Sequence, residues 1–229
     1  MPSLEGEGEG KENVMHKMAW KIVLLMYFSD ILAVKHSLQY FCTAASGIPD
    51  IPEFVSVGMV DGEPFCYYDS NMRREIPKQE WAKEAVDPHY WERNTQISHR
   101  VQHCFKFITA AMKSINQTVG VHTLQNMFGC EWDEETNSTD GYDRYGYDGE
   151  DFFTFDLKNI RWIPKVQQAT QIKLEWESRI AQAEEKKYLI EVCIDWLKKY
   201  VNCGQSTLER KVSPQVTAQL PQMSPFEEN

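Results

Sequence analysis

One stretch of the chain, residues 176–200, reads as a single long amphipathic helix and limits what the rest of the chain can fold into. Its apolar residues fall into two adjacent rows, and charged residues fill the other positions. The rows are Tyr188, Val192, Trp196 and Tyr200 on one line and Leu189, Cys193 and Leu197 on the other. We expect the row with Cys193 to pack on a sheet and the aromatic row to lean over it, because tyrosine and tryptophan are common in recognition sites. The alternative is that both rows pack in a core.

Length and composition indicate a folded, acidic protein. The chain has 229 residues, of which 42% are hydrophobic and 12% aromatic, enough for one or two domains with a substantial core. Its formal net charge is -10 and it has no run of lysine and arginine, which argues against nucleic acid as a partner. Six cysteines fit an extracellular domain with one or two disulfides.

Both ends of the chain differ in composition from the part between them. Residues 1–14 are rich in glycine and glutamate and are predicted to form a disordered leader. Residues 15–35 place basic residues around a short apolar run and resemble a secretory signal peptide, with a buried strand as the alternative. No later segment reaches about 20 apolar residues, the length that spans a bilayer. Residues 212–229 are rich in proline, glutamine and serine and are predicted to be a disordered tail.

Between those ends, a pattern of four strands followed by a helix occurs twice. In the first half, residues 36–118, alternation and the Asp61-Gly62 hairpin signal predict an antiparallel meander. The predicted elements are strands at His36–Ala45, Glu53–Asp61, Pro64–Ser70 and Arg74–Ile76, a helical segment at Gln79–Val86, and a long helix from His89 to Lys113.

The second half, residues 119–211, has the same order of elements. The predicted features are a strand at Val119–Trp132, a hairpin turn at Asp148-Gly149 and a short strand at Asn159–Trp162. Pro164 suits the first turn of the following helix, and Gly204 suits the position just past its end. Two such halves can merge into one eight-stranded antiparallel sheet carrying two long helices with a groove between them, an α+β fold.

Cysteines and glycosylation sequons agree with secretion. Cys130 lies near the end of a predicted strand and Cys193 lies on the buried row of the helix, so they are a candidate disulfide, although spacing alone leaves several other pairings open. Asn116 and Asn137 each begin an Asn-X-Ser/Thr triplet, and both are predicted to be glycosylated.

No arrangement of residues predicts a metal centre, a cofactor or a catalytic site. His99 and His103 are spaced by one helical turn, but no further ligand accompanies them. Asp143 and the other acidic residues of the second hairpin do not match a calcium loop and are predicted to form a solvated turn. A secreted hydrolase that uses Cys104 and His103 is a rival from another class, and it needs a base-oriented thiolate in a pocket.

Several segments resemble a known family, in order along residues 36–216. The segments are HSLQYF, VGMVDGEPFCYYDSN, DPHYWERNT, NQTVGVHTLQNMFGCEWD, YDGEDFFTFDL, LEW and YLIEVCIDWLKKYV. Together they resemble the alpha-1/alpha-2 platform of the major histocompatibility complex class I heavy chain, of the bony-fish type. The resemblance implies a ligand held between two helices, and it implies that Cys130 and Cys193 are bonded.

The resemblance also implies how one end of the groove works. The residues that match the family's ligand-binding tyrosines are Tyr40, Tyr90, Tyr188 and Tyr200, whose hydroxyls can form a hydrogen-bond network around the amino terminus of a peptide. Trp196 would close that end. The aromatic row found from its spacing therefore coincides with the groove-lining row of the family.

The other end departs from the family pattern. Where the family binds a peptide carboxylate, this chain has Ser114, Ile172, Glu175 and Trp176, of which only Trp176 is typical. Glu175 would repel a carboxylate, and Lys113 is turned about 100° away from Ser114 on a helix. We therefore expect a ligand that overhangs this end, a ligand that is not a peptide, or no ligand.

The function implied by the resemblance is display of a peptide or other small ligand to a T-cell or NK-type receptor. It implies the secretory pathway, with the protein in the extracellular space or on the external side of the plasma membrane. Beta-2 microglobulin is the implied partner, weakened by a truncation, because TAQLPQMSPFEEN stands where the family's immunoglobulin-like domain begins. The alternatives are a non-classical relative that binds a receptor or a non-peptide ligand, and a non-functional truncated form.

Overall fold

The computed structural model of the chain describes residues 35–116, 120–179 and 182–212. The predicted leader, nearly all of the predicted signal peptide and nearly all of the predicted tail lie outside these ranges. Within the described part of the chain, no helix has the length and apolar character needed to cross a membrane.

The described chain is built on one antiparallel sheet of eight strands. The strands are β1 (Lys35–Ser46), β2 (Phe54–Val60), β3 (Glu63–Asp69), β4 (Ile76–Pro77), β5 (His122–Asp133), β6 (Thr139–Tyr147), β7 (Glu150–Asp156) and β8 (Arg161–Pro164). Their order across the sheet is β4-β3-β2-β1-β5-β6-β7-β8. The predicted α+β platform is confirmed, and the two halves of the chain meet where β1 pairs with β5.

An equivalent contact between a histidine and an aspartate holds one hairpin in each half. The Asp-Gly turns at residues 61–62 and 148–149 have positive φ at both positions, which suits the predicted tight hairpins. His36 Nδ1 on β1 lies 2.7 Å from Asp61 Oδ2, and His122 Nδ1 on β5 lies 2.7 Å from Asp148 Oδ2. The first contact holds the β2–β3 turn next to β1, and the second holds the β6–β7 turn next to β5.

Helices cover one face of the sheet. They are α1 (Glu80–Glu84), α2 (Tyr90–Asn116), α3 (Gln167–Arg179), α4 (Gln182–Lys187), a π-helical turn (Tyr188–Val192) and α5 (Cys193–Val212). Along β1 and β2, alternate residues such as Leu38 and Val60 point toward the helices and are fully buried. Their neighbours on the opposite face of the sheet are mostly half-exposed.

The prediction of one regular α-helix over residues 176–200 needs a correction. The chain is helical from Gln182 to Val212, but a π turn at Tyr188–Val192 stands between α4 and the start of α5 at Cys193. A straight α-helix has about 3.6 residues per turn, so a row spaced by four residues drifts around it, and a wider π turn reduces that drift. The buried row itself is as predicted, because Leu189, Cys193 and Leu197 are fully buried.

Both predicted ends of this helix are also wrong. Pro164 is the last residue of β8, and the helix begins three positions later at Gln167. Gly204 does not end the helix, because α5 continues past it for two turns. A Cβ at Gly204 would lie 3.1 Å from the indole of Trp81, so this glycine lets α5 pack closely on α1.

Candidate ligand-binding groove

A groove runs between α2 on one side and the π turn and α5 on the other. Toward one end it contains a cavity of about 560 Å³, with side chains of β1, β2, β5 and β6 as its floor. Aromatic and aliphatic side chains form most of the walls, and a few polar groups converge on the space between them. A cavity of this size and character is typical of sites for small ligands.

The predicted tyrosines come together at this cavity, in unequal positions. Tyr40, Tyr90 and Tyr188 line it together with Trp196, whereas Tyr200 is fully buried behind them. The hydroxyls of Tyr90 and Tyr200 are hydrogen-bonded to each other. The Trp196 indole packs against both, with ring centroids 4.9 Å from Tyr90 and 5.5 Å from Tyr200.

Burial keeps these phenols in their neutral form. It raises the pKa of Tyr90 to about 12. It also raises the pKa of Tyr40 and Tyr200 above the ordinary phenol value, and the neighbouring phenols add to both shifts. A neutral phenol can donate one hydrogen bond and accept others, so the cluster can bind an ammonium, a hydroxyl or a carbonyl group.

Two acids that were not predicted as ligand-binding residues also face the cavity. Glu75 precedes β4 and Asp143 lies on β6, and each is only 5% exposed. The prediction that Asp143 belongs to a solvated turn is wrong, since it lies within β6, where alternate residues face the helices. Asn126 Nδ2 on β5 donates a hydrogen bond to Asp143 Oδ1 at 2.5 Å.

Contacts from α2 hold Glu75 in its place. The Ser98 hydroxyl donates a hydrogen bond to Glu75 Oε2 at 2.6 Å, and the backbone N–H of Glu75 donates to Thr95 Oγ1 at 3.0 Å. Burial raises the pKa of the Glu75 carboxyl, while hydrogen bonds from Ser98 and Cys66 oppose that shift. The carboxyl is therefore fixed in orientation beneath α2.

At the other end of the groove, the described side chains of both helices and of β8 form a packed core. Phe105 and Met112 on α2 pack with Trp162 and with Ile172 on α3 in one buried apolar cluster. Ile172 is therefore part of the core and offers no polar group to a peptide carboxylate.

Two of the remaining residues predicted near that end lie away from the groove cavity, and the side chains of two others lie outside the described part of the chain. Ser114 is exposed, and the side chains of Glu175 and Trp176 on α3 lie outside the described part of the chain. Lys113 lines a separate hollow of about 320 Å³ beneath α2, beside Glu53, so it faces away from the groove cavity.

A disulfide joins the floor of the groove to its wall. It links Cys130 on β5 to Cys193 at the start of α5, and both residues are fully buried. This is the bond that the resemblance implies. Because the two cysteines are 63 residues apart, the bond restricts a large loop of the unfolded chain.

The predicted glycosylation sites lie outside the groove. Asn137 is exposed in the β5–β6 loop, and its Oδ1 accepts hydrogen bonds from Trp132 Nε1 at 3.0 Å and Lys198 Nζ at 3.2 Å. Its Nδ2, the atom to which a glycan attaches, is not used by those two bonds. Asn116 is the last residue of α2, and its side chain lies outside the described residues.

The two residues of the rival hydrolase prediction lie outside the groove cavity. His103 is exposed on α2 and Cys104 is half-buried, and the lining of the groove cavity contains neither. Cys42 does line the cavity, and burial raises the pKa of its thiol to about 12, so the thiol is protonated at neutral pH. Among the described residues, no group of three histidine, cysteine or acidic side chains is arranged to hold a metal ion.

We expect Tyr200→Phe to lower the free energy of unfolding by about 1 kcal/mol, because the hydroxyl of Tyr90 loses its buried partner. Urea denaturation would measure the change. Tyr147→Phe is the matched control, since the Tyr147 hydroxyl is buried with no hydrogen-bond partner among the described residues. That variant should be as stable as the original chain or slightly more stable, and equal losses in both variants would rule out a contribution from the Tyr90–Tyr200 bond.

Comparison with known proteins adds an independent result. Residues 34–208 match the family model described as Class I Histocompatibility antigen, domains alpha 1 and 2. The chain is 40% identical over 183 residues to Major histocompatibility complex class I-related protein 1 of Mus musculus, covering 79% of this chain and 53% of that protein.

Two further relatives match over the same region. Identity to Class I histocompatibility antigen, F10 alpha chain, of Gallus gallus is 37% over 183 residues, again 79% of this chain and 53% of that protein. Identity to H-2 class I histocompatibility antigen, K-K alpha chain, of Mus musculus is 37% over 185 residues, which is 78% of this chain and 50% of that protein. The chain thus spans about half the length of the curated relatives it matches.

Proposed function

The chain belongs to the class I histocompatibility antigen family, and on that premise we propose that it binds a ligand in its groove and displays it to a receptor on another cell. The observation that carries the proposal is the cavity of about 560 Å³, whose walls come from both helices and whose floor comes from both halves of the sheet. A bound ligand and the tops of the two helices would form one composite surface. The protein works in this proposal by binding and not by catalysis.

The ligand is compact, or it is anchored mainly at one end. The cavity lies at the tyrosine end of the groove, where Tyr40, Tyr90 and Tyr188 supply hydroxyl groups. At the far end, Ile172 and Met112 belong to the buried core, so an extended ligand would have to rise over the helices there. A small molecule or a short peptide with its amino terminus among the phenols suits this shape.

The rim of the cavity suits contact with a receptor. Ile97 on α2 is 46% exposed and Val192 on the π turn is 37% exposed, and both also line the cavity. These apolar side chains stand on opposite sides of the opening, where a T-cell or NK-type receptor would meet them and the ligand together. Apolar side chains beside a ligand are a common centre for a recognition surface.

The opposite face of the sheet suits a second partner, for which we propose beta-2 microglobulin. Phe41 on β1 lies opposite Val57 on one neighbouring strand and opposite Met127 on the other, and all three are half-exposed. Gln39 Nε2 donates a hydrogen bond to Tyr142 OH at 2.7 Å on the same face. A mixed apolar and polar surface of this kind is typical of protein interfaces.

Secretion and glycosylation belong to the same proposal. The Cys130–Cys193 disulfide suits an oxidising compartment, and Asn137 presents its amide on an exposed loop. We propose an extracellular or cell-surface location, with glycans on Asn137 and Asn116.

Ligand elution tests the function. The full chain, produced in cultured eukaryotic cells together with beta-2 microglobulin, is purified, released with acid and analysed by mass spectrometry. We expect a reproducible set of small molecules or short peptides. Val101→Trp, which fills the cavity from α2, should lose this set, whereas His103→Trp on the exposed side of the same helix should keep it. The same eluate from both variants would show that the cavity is not the binding site.

A further inference from the structure

We propose that the hollow beneath α2 is a second ligand site, which binds a medium-chain fatty acid with its carboxylate at Lys113. The hollow has a volume of about 320 Å³ and lies against a different face of α2 from the groove cavity. The inference goes beyond the proposed function, because it does not require that the groove hold a ligand.

Small side chains leave this space open. The end of β1 contributes Ala44 and Ala45 to the lining of the hollow, and α2 contributes Thr109 and Ala110. None of these four side chains extends beyond its γ atoms, so the strand and the helix are separated by space that no side chain occupies. The volume lies within the range that is common for small-ligand sites.

The hollow is long and its base is apolar. Its lining follows α2 from Gln102 to Lys113, a distance of about 16 Å at the rise of an α-helix. Phe54 at the start of β2 and Phe105 on α2 form the base, with ring centroids 5.0 Å apart in an edge-to-face arrangement. An extended alkyl chain fits such a space, and it is stabilised there because it leaves water.

The charges at the hollow favour an anion. Lys106 Nζ pairs with Glu53 Oε2 at 3.2 Å, so these two charges balance. Lys113 also lines the hollow and is half-buried, and it forms no ion pair with any residue of the described chain. The local charge is therefore positive, although the whole chain carries a net charge of -10. A carboxylate on an apolar chain matches both the base and this amine.

The hollow and the groove cavity can be tested separately. Phe54 lines both of them, so its ring stands between the two spaces. On α2, Val101 lines the groove cavity but not the hollow, whereas Ala110 lines the hollow but not the groove cavity. A large side chain at either position therefore fills one space and leaves the other open.

Decanoate and decanamide are the matched probes, since they have the same alkyl chain and only decanoate is charged. Binding to the full chain with beta-2 microglobulin is measured by titration calorimetry at probe concentrations below micelle formation. We expect decanoate to bind about fivefold more tightly than decanamide, as for a partly exposed ion pair. Rising salt should narrow this ratio, because Lys113 is only half-buried.

Matched variants assign the binding to the hollow. Ala110→Trp should abolish decanoate binding, whereas Val101→Trp, and Gln96→Trp on the exposed side of α2, should keep it. Lys113→Gln should reduce the ratio between decanoate and decanamide to about one, and Arg100→Gln, which removes an exposed charge from the same helix, should leave it unchanged.

A measurement on the original chain covers the case in which a variant does not fold. Nuclear Overhauser contacts between the alkyl chain of decanoate and the methyl groups of Ala45 and Ala110 are expected, because both residues line the hollow. Absence of decanoate binding, or equal binding of the two probes, would overturn the inference. It would also be overturned if Val101→Trp lost decanoate and Ala110→Trp kept it, since the fatty acid would then occupy the groove. Acid elution from the groove is a separate measurement, so the proposed function can stand or fail independently of these results.

Discussion

Replacing both Cys130 and Cys193 by alanine is expected to lower the free energy of unfolding by about 4 kcal/mol. The bond closes a loop between residues 63 positions apart, and its removal restores the conformational freedom of that loop in the unfolded chain. The double replacement avoids leaving one buried thiol to form a wrong disulfide. Denaturation in guanidinium chloride without reductant would measure the loss.

A third cysteine, which is not in the disulfide, provides the control for this experiment. Cys203 is a free thiol on the exposed side of α5, and Cys203→Ala should change stability by less than about 0.5 kcal/mol. A loss below about 1 kcal/mol in the double variant would mean that packing alone seats α5 on the sheet. In that case the buried row of Leu189 and Leu197 would be the main attachment of the π turn and α5 to the sheet.

Leu189→Ala is expected to lower the free energy of unfolding by about 3 kcal/mol. Leu189 is fully buried in the π turn and packs directly on the backbone of Gly141 in β6, where a Cβ would lie 2.9 Å from that of Leu189. Alanine keeps the Cβ beside Gly141 and removes the three outer carbons of the leucine, which belongs to a buried apolar cluster. Their loss leaves a cavity in that cluster, which is the condition for a large loss of stability.

Val192→Ala, at the other end of the same turn, is the matched control. Its side chain is partly exposed at the rim of the groove, so the variant should lose less than about 1 kcal/mol. Thermal and urea unfolding of both variants would give the comparison. Similar losses at the two positions would contradict the assignment of Leu189 as the anchor of the turn.

Much of the sheet could be predicted because its signals are local. Alternating side chains mark the strands, and the Asp-Gly pairs at residues 61–62 and 148–149 mark the hairpins, since both positions require positive φ. The merger of two halves into one sheet also followed from counting exposed faces. The sequence resemblance agreed with the family match over residues 34–208, while its bony-fish type stays a prediction.

There is a physical reason why the ends of the second helix and its π turn could not be predicted. Glycine is the residue typically found just past the end of a helix, but Gly204 lies inside α5. Its small size is needed there because α5 packs closely on Trp81. The row at Tyr188, Val192 and Trp196 has a spacing that fits an α-helix and a π turn almost equally well. Neither ambiguity can be resolved without knowing what packs against the helix.

Only one of the two acids in the groove, Asp143 and Glu75, could have been predicted from the sequence. Asp143 could have been found from the alternation of β6, where Gly141, Asp143 and Tyr145 point in one direction. Glu75 could not, because it lies in a short irregular stretch before β4 that has no periodicity. The aromatic residues Tyr40, Tyr90, Tyr188 and Trp196 were brought together as expected, and their role in binding a ligand stays a prediction.

The continuous pairing of β1 with β5, from Lys35 opposite Asp133 to Ser46 opposite His122, has a consequence for how this fold can change during evolution. The two halves share a single sheet that is hydrogen-bonded without a break across its centre. If the groove binds a ligand as we propose, its preference can be changed by exchanging individual side chains on the sheet or on the helices. The backbone beneath those side chains can then be inherited unchanged.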